Sequence, residues 1–393
     1  MYLKRLTKIT IKSYYYKYGA LFLLLIFSTV QYLLILRHKS PYLSDSYFYK
    51  HIFYQSKGDS YDLARQKVVS QVDLKGVDDI TVNFFSNDEA YRNSLSFFTK
   101  RPLYPLLAAF VSLFASNEFL DFVIPVFVAY IASIILSFYI FRQGLSYFFA
   151  IFATGLLISF HPFLDWSTYF LTDTIGFFFW LLLLFLIYRY LKKGGSKLLI
   201  FFSGNLGISL LNREQSLFIL PLLIILLSLM TLFRIRNKEI IRGIKLIIFT
   251  LIVVGIYFLI STVTKQRTLL GTINYTQNSY GLFQRDYTFF ETVTYMSDAI
   301  KRSHIAFIED LTRHHWWFVF FILGIFGIIK IFCFNSKRQL LDLLFFSSAI
   351  ASYLSIFFYP VLSYRFFYPI LTALLYFSSK LIRGYFIRIE KLL

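Results

Sequence analysis

Apolar runs dominate the chain and recur from residue 19 to residue 382. A helix needs about 20 mostly apolar residues to cross the roughly 30 Å hydrocarbon core of a bilayer. The pattern therefore predicts an all-α polytopic membrane protein, a single membrane domain over residues 1–393 with about ten transmembrane helices. The expected spans are 19–36, 119–141, 145–163, 170–190, 197–212, 214–233, 244–262, 316–334, 341–359 and 364–382.

Two longer polar segments, 38–101 and 263–315, interrupt the apolar runs. The first contains apolar residues at helical spacing, which predicts two or three short amphipathic helices lying on the membrane. Residues 103–116 are apolar but too few to cross a bilayer, and prolines 102 and 105 stand at their start. We therefore expect a short re-entrant or interfacial helix there.

The basic residues predict an orientation in the membrane. The chain contains 40 Lys+Arg and 21 Asp+Glu, a net charge of +19. If the N-terminus is inside, the whole surplus lies in predicted cytoplasmic segments, as the positive-inside rule requires of short loops. A crossing by residues 103–116 would turn most of these cations outward. We therefore expect a multi-pass protein of the plasma (inner) membrane, with both termini cytoplasmic and both long polar segments outside.

Composition excludes several classes of protein. Hydrophobic residues make up 57% of the chain and charged residues 16%, against about 25% charged residues in soluble domains. A soluble enzyme is therefore excluded. Because topology accounts for the basic surplus, we expect membrane lipids and no nucleic acid among the partners. The one cysteine, Cys333, cannot form an internal disulfide, and no Cys/His spacing typical of zinc sites occurs.

Five charged residues stand at the predicted outer boundary of the bilayer, where a charge is costly unless it is paired or faces a cavity. Asp45 follows the first span, and Asp165 lies between the third and fourth spans, with Asp173 at the entry of the fourth. Arg213 lies between two apolar runs, and Arg365 opens the last span. Each also has a structural interpretation. The acids could cap or begin helices, and the arginines could anchor at the interface or pair with a neighbouring acid.

The order of these residues resembles that of the GT-C superfamily of polytopic glycosyltransferases. This group includes the dolichyl-phosphate-mannose protein mannosyltransferases and the bacterial lipid A aminoarabinose transferase. The resemblance rests on the early acid Asp45, Arg101-Pro102-Leu103-Tyr104-Pro105, Pro162…Trp166-Ser167…Thr172-Asp173, Leu211-Asn212-Arg213 and Arg365-Phe366-Phe367-Tyr368-Pro369. The last two are similar to the superfamily's xxR and RYxxP positions. The chain departs from the pattern in its single early acid and in Glu214, which follows the motif arginine.

The resemblance implies a GT-C-like fold and transfer of a sugar from a polyprenyl-phosphate donor to a glycan, lipid or protein acceptor. The reaction would take place on the extracytoplasmic face, in glycan biosynthesis of the cell envelope. Asp45 would be the base, since an attacking hydroxyl must lose its proton. Arg213 and Arg365, with Arg101 third, would bind the lipid phosphate.

One carboxylate acting as base favours inversion at the sugar carbon. Asp173 or Asp165 would hold hydroxyls of the sugar or acceptor, or a divalent cation such as Mg²⁺ or Mn²⁺ if the enzyme uses one.

Two other functions stay open from the sequence: a membrane polysaccharide polymerase or ligase, and a flippase or other transporter of lipid-linked sugars. A transporter needs polar residues near the bilayer midplane. The middles of the predicted spans are apolar, with the Gly204-Asn205…Gly207 stretch as the main exception. The pattern therefore favours the glycosyltransferase.

Overall fold

The computed structural model describes residues 2–72, 79–266, 269–278, 285–313, 315–334, 338–357 and 364–390. All regular secondary structure in these ranges is helical, and they contain no strand. The all-α fold class predicted from the apolar pattern is therefore confirmed.

Eighteen α-helices follow one another in these ranges. They are α1 Tyr2–His38, α2 Ser44–Ser56, α3 Tyr61–Val69, α4 Asp79–Ser86, α5 Asp88–Phe98, α6 Leu103–Val111, α7 Glu118–Phe141, α8 Tyr147–Ile158, α9 His161–Trp166, α10 Asp173–Lys193, α11 Ser196–Asn212, α12 Ile219–Leu232, α13 Asn237–Val263, α14 Leu269–Gln277, α15 Phe289–Arg313, α16 His315–Cys333, α17 Leu340–Leu354 and α18 Tyr364–Glu390. Short 3₁₀ turns, Glu214–Phe218 and Ser355–Phe357, precede α12 and follow α17.

Seven helical segments in the described ranges are long and apolar enough to cross a membrane, so the chain is a multi-pass membrane protein. These are Tyr18–His38, Glu118–Phe141, Asp173–Lys193, Glu214–Leu232, Asn237–Val263, Leu340–Phe357 and Phe367–Ile387. Helices α15 and α16 meet at 115° and would supply an eighth span if the bent pair crosses as one unit.

The predicted count of about ten spans is not confirmed. Every predicted stretch contains a helix, but α8 has 12 residues and α11 has 17, giving lengths of about 18 and 26 Å at a rise of about 1.5 Å per residue. The apolar run 145–163 hides a break after Ile158. Pro162 lies in the first turn of α9, where its missing N–H leaves no helical bond unmade, so a new helix begins there.

Helices α2 to α5 fold the described part of segment 38–101 against the bundle. There are four of them rather than two or three, because Asn87 ends α4 and accepts hydrogen bonds from the first turn of α5. Phe48 of α2 stacks on Phe98 with ring centroids 4.9 Å apart. Phe53, one turn further, contacts Phe122 of α7 at 5.0 Å. Aromatic packing therefore holds α2 in place at the end of the bundle.

Helix α6 covers nine residues of the predicted re-entrant segment 103–116. Its length is about 14 Å at about 1.5 Å per residue, less than half of a bilayer core. It packs on α2 and α7. Its position relative to a membrane stays a prediction.

The charge partition predicts which helix ends face the cytoplasm, and cysteine labelling tests it. In a Cys333→Ser background, we expect a membrane-impermeant maleimide to label Asp62→Cys in intact cells. Ser196→Cys should be labelled only after permeabilisation, because the basic residues near it favour the cytoplasm. Both positions are exposed, as is Cys333. Labelling of Ser196→Cys in intact cells would invert the topology.

Helices α16 and α18 approach closely at two glycines. A Cβ on Gly324 would lie 2.8 Å from the carbonyl oxygen of Leu374, and one on Gly327 would collide with the backbone of Phe377. Small residues allow such close contact between membrane helices.

We expect Gly324→Val to lower the free energy of unfolding by about 1–3 kcal/mol, the usual cost of overpacking. Gly255→Val on α13 is the matched control, because no atom lies within 4 Å of its added Cβ. Thermal unfolding in detergent measures both. Equal losses would show that the change in helix propensity, not the α16–α18 contact, sets the cost.

Candidate active site

The charged residues predicted for the site meet mainly where α2, α10 and the α11–α12 junction converge. Asp45 lies in the first turn of α2 and is half-buried. Tyr49 follows four positions later, which places both side chains on one face of the helix. The Tyr49 hydroxyl lies 3.2 Å from Oγ1 of Thr172, the residue before α10. Helix α2 is thereby joined to the start of α10.

Asp173 and Arg213 form a buried ion pair at this point. Their side chains are only 3% and 6% exposed. Asp173 is the first residue of α10, where the helix dipole also stabilises a carboxylate. Asn212 donates from Nδ2 to the carbonyl oxygen of Thr172 at 3.0 Å and fixes the end of α11 against α10. Gly176 leaves room for this approach, since a Cβ there would meet Asn212 Nδ2 at 3.2 Å.

Glu214 belongs to a second buried cluster. Arg101 donates to Glu214 Oε2 from Nη2 at 2.8 Å and from Nε at 3.2 Å, and Lys100 forms an ion pair with Oε1. Arg213 therefore pairs with Asp173, not with its neighbour in sequence. The reason is its extended backbone, with φ −162° and ψ 132°, because extended residues direct successive side chains to opposite sides.

Tyr49 connects the two ion-pair clusters. Its hydroxyl is near enough to both Arg101 and Asp45 for their charges to act on it. Burial raises the pKa of Tyr49, with Arg101 and the Thr172 hydrogen bond opposing the shift. Burial also disfavours the charge of Arg101, but Glu214 and Tyr49 outweigh it and hold the Arg101 pKa above its usual value.

We call these residues the outer cluster: Asp45, Tyr49, Lys100, Arg101, Thr172, Asp173, Asn212, Arg213 and Glu214. It brings together four of the six residues predicted from the sequence. Tyr49, Lys100 and Glu214 were not predicted as parts of the site. Tyr49 could have been found from its spacing to Asp45, since residues four apart share a helix face.

Asp165 lies in a separate contact at the junction of α9 and α1. Its Oδ1 accepts a hydrogen bond from Lys39 Nζ at 2.6 Å, and the Lys39 ammonium lies 3.4 Å from the centroid of the Tyr169 ring. Burial lowers the pKa of Lys39, and Asp165 opposes the shift. No described contact joins Asp165 to the outer cluster.

The predicted roles of Arg365 and of a divalent cation are considered next to the described structure of the site. Arg365 is the second residue of α18, but its side chain lies outside the described part of the chain. Among the described residues, no group of three His, Cys, Asp or Glu side chains is arranged to hold a metal ion. Asp173 and Asp165, the candidate metal ligands, each bind a cationic side chain.

Removing Arg213 should expose the cost of the buried pair. We expect Arg213→Met to destabilise the protein by about 3–5 kcal/mol, because Asp173 loses its buried counter-charge. Asp173→Asn in the same chain should recover part of the loss.

Lys39→Met is the control for the Arg213 variant. It breaks a pair whose side chains are 20% and 28% exposed, and should cost about 1 kcal/mol or less. Thermal unfolding in detergent compares the two variants. Equal losses would contradict the structural importance of the Arg213 pair.

The sequence around this site also matches a known protein family. Residues 99–258 match the family model described as dolichyl-phosphate-mannose-protein mannosyltransferase. The matched part includes Arg101, Asp173 and Arg213, while Asp45 precedes it. Comparison with curated proteins gave no match. The resemblance to the GT-C superfamily is thus confirmed over this part of the chain.

Proposed function

We propose that this chain transfers a sugar from a polyprenyl-phosphate donor to an acceptor, and that the outer cluster is its active site. The observation that carries the proposal is the contact of Tyr49 with Thr172, at a point where the charges of Arg101 and Asp45 also act on the Tyr49 hydroxyl. This contact places Asp45, from segment 38–101, beside the charged groups of residues 99–258. A carboxylate and two arginines at one helix junction provide the two functions that transfer from a lipid phosphate requires.

Asp45 is the proposed general base. An acceptor hydroxyl that attacks the anomeric carbon loses its proton as the new bond forms, and a carboxylate within hydrogen-bond reach can take it. Asp45 is half-buried, so an acceptor can approach it. The bond from the sugar to the phosphate oxygen breaks as the bond to the acceptor oxygen forms, which inverts the configuration at that carbon.

Arg101 and Arg213 are the proposed ligands of the leaving phosphate. Each is held by a carboxylate, Glu214 or Asp173, and a guanidinium has five N–H donors, more than a single carboxylate can bind. Donors fixed before the reaction stabilise developing charge without reorganising. We therefore assign Asp173 to positioning Arg213.

Arg365 remains a predicted third phosphate ligand. The predicted contacts of Asp173 and Asp165 with sugar hydroxyls or a divalent cation also remain predictions.

The family whose model matches residues 99–258 is described by the transfer of mannose from dolichyl phosphate to protein. For this chain we propose the broader class: a polyprenyl-phosphate sugar as donor and a glycan, lipid or protein as acceptor. The charge partition supports a plasma (inner) membrane location, with cytoplasmic termini and an extracytoplasmic site. Such an enzyme would act in glycan biosynthesis of the cell envelope.

In vitro transfer tests the proposal. Purified protein is incubated with a panel of radiolabelled polyprenyl-phosphate sugars and membrane-derived acceptors, and labelled product is counted. Labelled acceptor from at least one donor supports a transferase. If no donor gives product, and proteoliposomes instead move a lipid-linked sugar across the bilayer, the transporter interpretation replaces it.

Asp45→Asn should reduce turnover at least about a hundredfold while donor binding persists, because general-base catalysis contributes about 10²–10⁴-fold. Asp62→Asn is the matched control. Asp62 lies in the first turn of α3, as Asp45 does in α2, but it is exposed. Turnover and donor binding are measured on both folded variants. Near wild-type transfer by Asp45→Asn would remove Asp45 from the mechanism.

A further inference from the structure

A second polar site lies at the opposite end of α10 from the outer cluster. Asp173 and Lys192 stand in the first and last turns of this 21-residue helix, whose ends are about 30 Å apart at about 1.5 Å per residue. A cavity of about 490 Å³ opens beside Lys192. It lies between the end of α10, the α12–α13 connection and the residues that precede α17.

The lining of this cavity is strongly basic. Four cations, Lys192, Arg234, Arg236 and Arg338, face one carboxylate, Glu239. Glu239 pairs with Lys192 at 3.3 Å. Neither Arg234 nor Arg236 makes an ion pair with any residue in the part of the chain that the structure describes. The protein itself therefore leaves the positive charge of the cavity largely uncompensated.

Arg338 is held in a fixed orientation at the cavity wall. Its guanidinium carbon lies 4.1 Å from the centroid of the Phe233 ring, and Nη2 donates to the carbonyl oxygen of Phe332 at 2.6 Å. Its Nε is buried and donates to no acceptor among the described residues. A buried donor without an acceptor is costly, so the position of Arg338 at this wall is not explained by its own hydrogen bonds alone.

The α12–α13 connection holds the other two arginines in place. Arg242 donates from Nη1 to the carbonyl oxygens of Leu191 and Lys192, at 2.7 and 2.8 Å, which ties α13 to the end of α10. Arg234 has φ 51°, in the left-handed region where glycine is usual after a helix. An arginine thus occupies a position whose backbone favours glycine.

The positive-inside rule explains why cations gather at this end of the bundle, but it does not require them to line a cavity. Lys193 is adjacent in sequence to Lys192, and Lys238 is two positions from Arg236, yet neither lines the cavity. They are exposed. The lining cations are therefore distinguished from the general basic surface by position.

We propose that this cavity binds a phosphate-bearing anion, either the headgroup of an anionic lipid or a soluble diphosphate. Arginine binds phosphate through charge-assisted, often bidentate hydrogen bonds. Basic pockets between membrane helices on the cytoplasmic side suit anionic headgroups, and the volume lies within the range of ordinary ligand sites. The site is independent of the proposed transfer reaction.

Two probes separate the sources of phosphate. Calorimetry measures pyrophosphate binding to the full-length protein in neutral detergent, and native mass spectrometry measures retained phosphatidylglycerol against phosphatidylcholine. We expect Arg234→Gln/Arg236→Gln to weaken binding of at least one probe by about tenfold or more, because it removes charge-assisted bonds. Loss confined to phosphatidylglycerol assigns a lipid headgroup, and loss confined to pyrophosphate assigns a soluble ligand.

Lys193→Gln/Lys238→Gln is the matched control, since it removes the same charge from the same end of the bundle. It should bind both probes as the wild type does. Arg338→Lys adds a milder test, because it keeps the charge but removes the planar guanidinium that can bind phosphate through two donors, and it should weaken binding. Equal losses in both double variants, or no binding of either probe by the wild type, would overturn the proposal.

Discussion

Buried charge must be paired, and this constraint organises the end of the bundle that carries the outer cluster. Removing an ion from water costs several kcal/mol, which only a close counter-charge with good geometry repays. Arg213 and Glu214 are adjacent in sequence but bind different partners. Arg213 binds Asp173 on α10, and Glu214 binds Arg101 at the end of segment 38–101. The short α11–α12 junction therefore fixes both the membrane helix α10 and the end of segment 38–101.

The helices of segment 38–101 depend on this anchoring and add apolar packing of their own. Phe48 and Phe53 of α2 contact the aromatic rings of α5 and α7. Aromatic side chains bury large areas and so hold a short helix that could not persist alone. Because α2 is fixed by these rings, Asp45 and Tyr49 keep a defined place beside the ion pairs. The same residues that stabilise this segment thereby build the candidate site.

The helices and the identity of most candidate residues follow from the sequence, because apolar length and costly boundary charges are local signals. Breaks within apolar runs are harder to predict from the sequence. The run 145–163 is apolar enough for one span, yet its helix ends at Ile158. Pairing is not local at all. Arg213 contacts a residue 40 positions away, since its extended backbone turns it from Glu214. Tyr49 was missed because an interfacial tyrosine and a bridging tyrosine look alike in sequence.

Helix α10 links the two polar ends of the protein through its own dipole. Asp173 stands at its N-terminus, where the dipole favours anions, and Lys192 and Lys193 at its C-terminus, where it favours cations. With these end charges alone, a phosphate would be attracted only to the C-terminal, basic end of α10. At the acidic end, however, Arg213 neutralises Asp173 and Arg101 neutralises Glu214, with Lys100 added. The phosphate recognition that we propose for that end thus uses arginines already bound to carboxylates, and it depends on the several donors of each guanidinium group rather than on net charge.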